Sequence, residues 1–269
     1  MSRITQVFEK LKAQKEGALI GYVMGGDPQP EKTMQIADAL IKGGVDLLEL
    51  GIPFSDPIAD GPTIQAASTR ALNAQTTPTK VLEIVKAIKQ KHPLPVVAMT
   101  YFNPVFKMGL QKFFEAAKTN QVDGVIIPDL PVEESAELQQ AASAVGVDKI
   151  FLAAPSTTNQ RLPKIVQASS GFLYLVSHFG VTGTKSSVAD STISLVKRVL
   201  PFTAGRIPLA VGFGVSKPEH VQAILEAGAD GVIVGSVFVN LISENQGNPE
   251  KMYAALEETA RNLKQATHK

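Results

Sequence analysis

Three stretches of the chain share one pattern: GGVDLLELG at residues 43–51, NQVDGVIIP at 120–128 and AGADGVIVG at 227–235. In each stretch a helix end leads into a tight turn that contains Asp, and a short apolar run follows. Apolar runs of this length are typical of parallel strands that are buried on both faces. The repetition predicts that one unit of strand and helix recurs along the chain.

Similar apolar runs continue on both sides of these stretches, and each is followed by a segment with helical periodicity. The predicted strands are 18–24, 45–50, 95–101, 123–128, 149–154, 172–177, 207–212 and 230–235. Eight such units without a polar linker predict an α/β fold, a (β/α)8 TIM barrel that forms a single domain over residues 1–269. We also expect an extra helix at the N-terminus and a short phosphate-binding helix after the eighth strand. An open doubly wound sheet is the alternative, because periodicity cannot show closure.

Composition narrows the choice of partners and cofactors. The chain has 26 basic and 25 acidic residues and no Cys. The balance of charge gives no general attraction for nucleic acid or an anionic membrane, so we expect neither partner. The four His residues lack the spacing of metal ligands, and no metal site is predicted. The first residues, MSRITQVFEKLKAQKEG, lack the apolar core of a signal peptide, and we therefore expect a cytoplasmic protein.

Two carboxylates are the main candidates for chemistry, because barrel active sites lie at the carboxyl ends of the strands. Alternation along VDLLEL predicts Val45, Leu47 and Glu49 on one face of the strand, with Glu49 pointing into the barrel mouth. Burial there would raise the pKa of Glu49 toward the range of a general acid or base. Asp60 follows in a loop that Pro residues stiffen, and two carboxylates in different surroundings can divide acid and base roles. For Asp60 alone, capping of the next helix is nearly as good an interpretation.

Glycines after the later strands predict an anion site. They occur in VTG at 181–183, in GFG at 212–214 and in GS at 235–236, before a helix-like segment. Phosphate sites in barrels form from the last loops and a short helix, whose backbone N–H groups and dipole attract the anion. Aromatic residues also fall near strand ends, where they either pack in the core or hold a flat aromatic substrate: Tyr22, Tyr101, Tyr174 and Phe213.

The stretch LELGIPFSDPIADG, residues 48–61, resembles the signature of the tryptophan synthase alpha chain family over all fourteen positions. Further segments agree in order between residues 22 and 236: YVMGGDP, NPVF, PDLPVEES, LAAPST, GVTGT, VGFGVS and GVIVGS. The resemblance therefore covers the whole predicted barrel and is specific.

That resemblance implies a lyase of L-tryptophan biosynthesis that cleaves indole-3-glycerol phosphate into indole and glyceraldehyde 3-phosphate by a retro-aldol reaction. Glu49 matches the acid-base residue of the family, and Asp60 matches the carboxylate that binds the indole N–H. The residues that match the substrate-binding positions are Tyr22, Ile64, Tyr101, Tyr174, Thr182, Gly183, Gly212, Phe213, Gly214, Gly235 and Ser236. The resemblance implies no cofactor in this chain.

The resemblance also implies a partner, a beta chain that carries pyridoxal phosphate and forms an α2β2 heterotetramer. The loop 53–60, which includes Asp56, and the segment NPVF resemble contact surface for that chain. One departure is His178 and Phe179 at the end of the sixth strand, where the family commonly has Arg after the serine. A phosphosugar isomerase or an indole-glycerol phosphate synthase of the same barrel class would more naturally show a Lys at a strand end or a Cys–Asp pair, and neither is found. The second alternative is a non-catalytic subunit that docks on a synthase and activates it, against which Glu49 and Asp60 argue.

Overall fold

A computed structural model describes residues 1–177, 185–212 and 214–268, with the backbone alone at 185–190. The strands are β1 Ala18–Met24, β2 Leu47–Gly51, β3 Val96–Met99, β4 Gly124–Ile126, β5 Asp148–Ile150, β6 Leu152–Ala153, β7 Leu173–Val176, β8 Leu209–Gly212 and β9 Gly231–Val234. The helices are α1 Arg3–Ala13, α2 Pro30–Lys42, α3 Pro62–Asn73, α4 Pro78–Lys91, α5 Phe102–Met108, α6 Leu110–Thr119, α7 Ala136–Val145, α8 Leu162–Ala168, α9 Lys185–Thr203, α10 Pro218–Glu226, α11 Ser236–Glu244 and α12 Pro249–Gln265. A short 3₁₀ turn, Val132–Glu134, precedes α7.

The described strands form one parallel sheet in the order β5-β4-β3-β2-β1-β9-β8-β7-β6. Because β1 pairs with both β2 and β9, the first and last strands are neighbours, as a barrel requires. The ends of this order, β5 and β6, are separated along the chain by Phe151 alone. The predicted TIM barrel is therefore confirmed, and the open doubly wound sheet is excluded.

One predicted strand is different in the structure. The run 149–154 was expected to form a single strand, but it is divided at Phe151. Its first part, β5, pairs with β4, and its second part, β6, pairs with β7. The Phe151 carbonyl still accepts the N–H of Tyr174 at 3.1 Å, so the division turns the chain from one neighbour to the other and closes the ring.

Two apolar layers surround the strands. An outer layer packs strands against helices, and it includes Leu48 and Leu50 as the alternation predicts. An inner layer fills the barrel, and the extra N-terminal helix α1 adds Phe8 to it, with its ring 5.8 Å from that of Phe172. Helix α1 thus closes the amino end of the barrel, and each large side chain that it buries contributes about 1.5–3 kcal/mol. The cavity lies at the other end of the barrel, where the carboxyl ends of the strands meet.

The Asp that the three repeated stretches share stabilises the amino end of the barrel. Each Asp side chain accepts the backbone N–H of a residue at the start of the neighbouring strand. The pairs are Leu19 to Asp46, Val96 to Asp123 and Leu209 to Asp230, each at 2.8 Å. The repeat is therefore a structural device for pairing strands, and its Asp residues lie at the end of the barrel opposite the cavity.

The expected position of Val45 was wrong. Alternation placed it with Leu47 and Glu49, but β2 begins only at Leu47, and the turn before it breaks the alternation. Val45 packs in the outer layer, whereas Leu47 packs inside the barrel.

The single domain over 1–269 stays a prediction. In the part of the chain that the structure describes, no helix is both long and apolar enough to cross a membrane.

Candidate active site

A cavity of about 130 Å³ opens at the carboxyl ends of the strands. Its lining combines two carboxylates, apolar and aromatic side chains, and the start of a helix. The lining residues are Tyr22, Glu49, Asp60, Gly61, Ile64, Met99, Tyr174, Gly214, Val215, Ser216, Ile233, Gly235, Ser236 and Val237. Residues that are far apart in the chain therefore meet around one cavity, which is the usual form of a small-molecule site.

Glu49 lies on β2 and points into this cavity. Only 1% of the residue is exposed, and its Oε2 atom has no hydrogen-bond partner among the described residues. Burial, with a smaller contribution from the negative charge of Asp60, raises the pKa of Glu49 to about 8. At neutral pH the side chain is therefore mainly a neutral carboxylic acid that can donate a proton.

Asp60 lies on the loop between β2 and α3. Burial raises its pKa to about 6, and a hydrogen bond from the Tyr101 side chain opposes that rise. Near pH 7 Asp60 is therefore mainly ionised while Glu49 is mainly protonated. Helix α3 is capped by Gly61 without a side-chain bond, so the alternative interpretation of Asp60 as a helix cap was wrong.

The loop that carries Asp60 is attached to the barrel at two points. The Ser68 hydroxyl, on α3, donates to the Phe54 carbonyl at 2.8 Å and accepts the Phe54 N–H at 2.9 Å. The Tyr101 hydroxyl accepts the N–H of Ala59 at 3.0 Å, directly beside Asp60. Because Pro residues also restrict this loop, the carboxylate of Asp60 has a defined position before any ligand binds.

The three predicted tyrosines have two different roles. Tyr22 and Tyr174 line the cavity, and burial raises the pKa of both phenols well above its usual value, so both stay neutral. Tyr101 is buried as well, but it contacts Asp60, Ala59 and the ring of Phe54, whose centroid is 5.4 Å away. Tyr101 is not among the described lining residues, since β3 ends at Met99 and the chain turns into α5 at Phe102; its contact with a substrate stays a prediction.

The start of α11 forms another part of the cavity lining. Gly235 caps this helix, Ser236 is its first residue, and both line the cavity together with Gly214 and Ser216. The backbone of Gly214 has a φ of 81°, which favours glycine. Lys and Arg are not among the described residues of the lining. Helix N–H groups and their dipole are thus the attraction that this end offers to an anion.

Gly212, the last residue of β8, is placed beside the cavity and does not line it. A Cβ atom at this position would lie 2.5 Å from the Tyr174 hydroxyl. Because glycine has no side chain, Gly212 leaves space for the ring of Tyr174. Three further predicted residues, Thr182, Gly183 and Phe213, lie outside the described residues, as do His178 and Phe179.

Six lining residues were absent from the sequence-based prediction. They are Gly61, Met99, Val215, Ser216, Ile233 and Val237. Met99 and Ile233 belong to β3 and β9, and their inward direction follows from strand alternation, which could have identified them. Val215 and Ser216 directly follow the glycines of GFGVS, and their place next to the predicted anion site is the signal that could have identified them.

Comparisons with known proteins agree with this geometry. The family profile described as "Tryptophan synthase alpha chain" matches residues 8–268. The tryptophan synthase alpha chain of Methanosarcina acetivorans is 51% identical over 97% of this chain and 93% of its own length. That of Cronobacter sakazakii is 43% identical over 99% of both chains.

Solved structures show the same similarity. The tryptophan synthase subunit alpha of Legionella pneumophila superposes with a TM-score of 0.89 at 36% identity, over 99% of this chain and 98% of that chain. A chain of the tryptophan synthase α2β2 complex of Pyrococcus furiosus superposes with a TM-score of 0.83 at 38% identity, over 93% of this chain and 98% of that chain.

Proposed function

Since the chain belongs to the family of tryptophan synthase alpha chains, which cleaves indole-3-glycerol phosphate, we propose that Glu49 and Asp60 carry out this cleavage in the cavity. The products are indole and glyceraldehyde 3-phosphate. The assignment of the two residues rests on the difference between their pKa values. Burial raises the pKa of Glu49 to about 8 and that of Asp60 to about 6, so the cavity holds one acid and one anion near pH 7.

The reaction needs a proton on carbon and a negative charge beside nitrogen. Glu49 donates its proton to C3 of the indole ring, and the ring nitrogen then carries positive charge. The ionised Asp60 accepts a hydrogen bond from the ring N–H and stabilises that charge. The Glu49 carboxylate next takes the proton of the glycerol hydroxyl on the carbon bound to C3. That carbon becomes the aldehyde carbon, the carbon–carbon bond breaks, and its electron pair returns to the ring.

The remaining lining residues suit the two ends of this substrate. Tyr22, Ile64 and Tyr174, together with Met99 and Ile233, give apolar contact area for the flat ring. Gly214, Gly235 and Ser236 surround the start of α11, where the phosphate group would accept backbone N–H bonds. Thr182, Gly183 and Phe213 stay predictions of substrate contact.

A spectroscopic assay of indole release by the isolated chain tests this proposal. We expect indole to form from indole-3-glycerol phosphate with the wild-type chain, and Glu49→Gln and Asp60→Asn to lose most of the rate while they remain folded. Near-normal rates in either variant would remove that residue from its proposed role. Absence of indole formation by the wild type, with and without a beta chain, would contradict the function itself.

A non-catalytic docking subunit is the second candidate that the sequence left open, and the same assay distinguishes the two. A subunit that only activates a partner has no need for a buried carboxylic acid that has an unpartnered oxygen and lines a cavity. The burial of Glu49 at 1% exposure, without a charged partner, therefore favours catalysis. A chain that raises the activity of a beta chain but forms no indole would support the docking role.

A partner surface is proposed beside the cavity. Four large apolar side chains are exposed among the residues that the structure describes: Met1, Ile58, Leu72 and Phe106. Ile58, at 83% exposure, lies in loop 53–60, and Phe106, at 66%, lies in the NPVF segment, which are the two segments predicted to contact a beta chain. The two segments follow β2 and β3, which are neighbouring strands, and exposed apolar side chains in such a region are typical of protein interfaces.

We propose that this surface binds a tryptophan synthase beta chain, as in the α2β2 complex of P. furiosus. The beta chain, and not this chain, would carry pyridoxal phosphate and receive the indole. Binding experiments with Ile58→Asp and Phe106→Asp test the surface. We expect both variants to weaken the complex while leaving indole release by the isolated chain unchanged, and undiminished binding would refute the surface.

A cytoplasmic location is proposed with this function.

A further inference from the structure

Arg70 of α3 joins three elements beneath the cavity. Its Nε and Nη2 atoms donate to the two carboxylate oxygens of Asp27, at 2.7 and 2.8 Å. Its third nitrogen, Nη1, donates to the Ser243 hydroxyl at 3.4 Å. Asp27 lies in the turn after β1, and Ser243 lies in the last turn of α11. One guanidinium group therefore connects the loop after β1, α3 and α11.

The ion pair at the centre of this connection is buried. Asp27 has 0% exposure, and the Arg70 side chain is mostly covered. Burial raises the pKa of Asp27, while the hydrogen bond and charge of Arg70 act in the opposite direction. Bidentate contact fixes the orientation of both groups, and only Arg among the basic side chains can make it. Removal of either partner would leave an uncompensated charge in the interior.

The two helices that Arg70 connects follow β2 and β9, the strands on either side of β1, and residues at both helix starts line the cavity. Helix α3 starts at Pro62, immediately after Asp60 and Gly61, and α11 starts at Ser236. A small apolar cluster fills the space between them: Tyr22 and Met24 from β1, Ala67 and Ala71 from α3, and Val239 from α11. The small Ala side chains let the helices approach, but apolar contact does not fix their relative position along the axis. The directional hydrogen bonds of Arg70 can fix that position.

We propose that Arg70 is a positioning residue that, through Asp27 and Ser243, fixes the spacing between Asp60 and the start of α11. This inference rests on the proposed function, in which the indole ring binds at one end and the phosphate group at the other. A substrate that spans both ends depends on their spacing, whereas a ligand that occupies one end does not. Arg70 itself contacts neither end of the cavity among the described lining residues.

This dependence gives a specific test in which the affinity of a spanning ligand is compared with that of ligands for one end. The spanning ligand is indole-3-glycerol phosphate; the others are indole and glycerol 3-phosphate, used as competitive inhibitors. Arg70→Lys keeps the positive charge and loses the bidentate contact. We expect its kcat/KM for the substrate to fall about tenfold, mainly through KM, because misplacement far from the chemistry weakens productive binding. The inhibition constants of both one-end ligands should stay within about twofold.

Two further variants keep the test decisive. Ser243→Ala removes only the contact to α11, and we expect the same pattern at about threefold. Arg161→Lys is the matched control, because Arg161 makes the same bidentate contact with Glu133 on the surface, at 2.9 and 2.8 Å. All constants should be unchanged in that control. Thermal unfolding of each variant identifies any loss of folded protein, and if Arg70→Lys does not fold, Ser243→Ala alone decides.

The contradictory outcomes are distinct. If both one-end ligands lose affinity in proportion to the substrate, or if no ligand does, Arg70 does not fix the spacing and the inference is wrong while the function stands. If the wild type releases no indole, the proposed function is wrong and the inference fails with it.

Discussion

The three repeated Asp residues at the amino end of the barrel and Glu49 at the carboxyl end have different surroundings. At the amino end, Asp46, Asp123 and Asp230 each accept a backbone N–H at 2.8 Å, and Lys side chains approach the first two within 2.9 Å. At the carboxyl end, Glu49 has an oxygen without a partner among the described residues. The three repeated Asp side chains are thus satisfied where they hold strands together, whereas Glu49 is unsatisfied at the cavity; Asp148 Oδ2, at the start of β5, is also without a partner among the described residues.

This difference separates structure from chemistry. An unsatisfied buried carboxyl group costs stability, and natural folds keep such groups mainly where function needs them. A carboxylate that accepts backbone N–H bonds at the start of a strand contributes to strand pairing, and it lies away from the cavity. The comparison therefore predicts that substitutions at one end change the rate without harming the fold, and that substitutions at the other end do the reverse.

The largest effect is expected for Glu49→Gln. The amide has the shape of the acid but cannot donate the proton, so kcat/KM for indole release should fall about 10²–10⁴-fold. Thermal unfolding should show a protein at least as stable as the wild type, because a neutral group replaces a buried ionisable one. A variant that keeps its rate, or that fails to fold, would abolish the proposed distinction between the two ends.

The next effect is expected at the amino end, for Lys89→Met. The Lys89 side chain is 1% exposed, and its Nζ donates to Asp123 and to the Leu94 carbonyl, both at 2.8 Å. Loss of this buried partner should lower the free energy of unfolding by about 3–5 kcal/mol in denaturant titrations. The kcat/KM of the folded fraction should stay within about twofold of wild type.

Lys91→Met is the matched control for that experiment. Lys91 lies on the same helix and pairs with Asp38, but its side chain is 55% exposed, so the loss should be below about 1 kcal/mol. If the two Lys variants lost equal stability, or if Lys89→Met lost its rate while folded, the amino end would have a role that the comparison does not contain.

A smaller effect is expected for Tyr101→Phe, which removes the hydrogen bond to Asp60. That bond lowers the pKa of Asp60, so its loss should move the acid limb of the pH profile of kcat/KM upward from about 6. A shift of about one pH unit is expected for a hydrogen bond to a charged group. Tyr253→Phe, on α12, is the control and should leave the limb in place. An unchanged limb in Tyr101→Phe would show that Tyr101 does not act on Asp60.

The last effect concerns how stability depends on pH. The pKa of Glu49 is raised from 4.5 in the reference state to about 8 in the fold. The folded protein therefore holds this proton more tightly than the unfolded chain, and the stability that it contributes is lost as pH rises from about 5 through about 8. Denaturant titrations should show that wild type loses stability relative to Glu49→Gln across this window. A constant difference would mean that Glu49 has an ordinary pKa.

Much of the fold could be predicted from the sequence, because strands of a barrel are continuous apolar runs with regular spacing. The division at Phe151 could not, since the run KIFLAA is apolar throughout and contains no sign of where its pairing changes from β4 to β7. The position of Val45 was missed for a related reason. Alternation gives the face of a residue only after the strand has begun, and the beginning of β2 is set by pairing.

The site was predictable in part. The direction of Glu49 followed from alternation, and the start of α11 followed from the glycines. The contact between Tyr101 and Asp60 could not be foreseen, because it depends on how the Pro-rich loop folds back over the end of β3. The connection from Arg70 to Asp27 and Ser243 was equally hidden, since it joins residues that are far apart in the chain.

The pH profile of kcat/KM for indole release by the isolated chain tests the central claim most directly. The account requires Asp60 to be ionised and Glu49 to be protonated, so the rate should rise through about pH 6 and fall through about pH 8. A rate that continues to rise through pH 8 would mean that ionised Glu49 is the active form, and it would contradict the assignment of Glu49 as the acid.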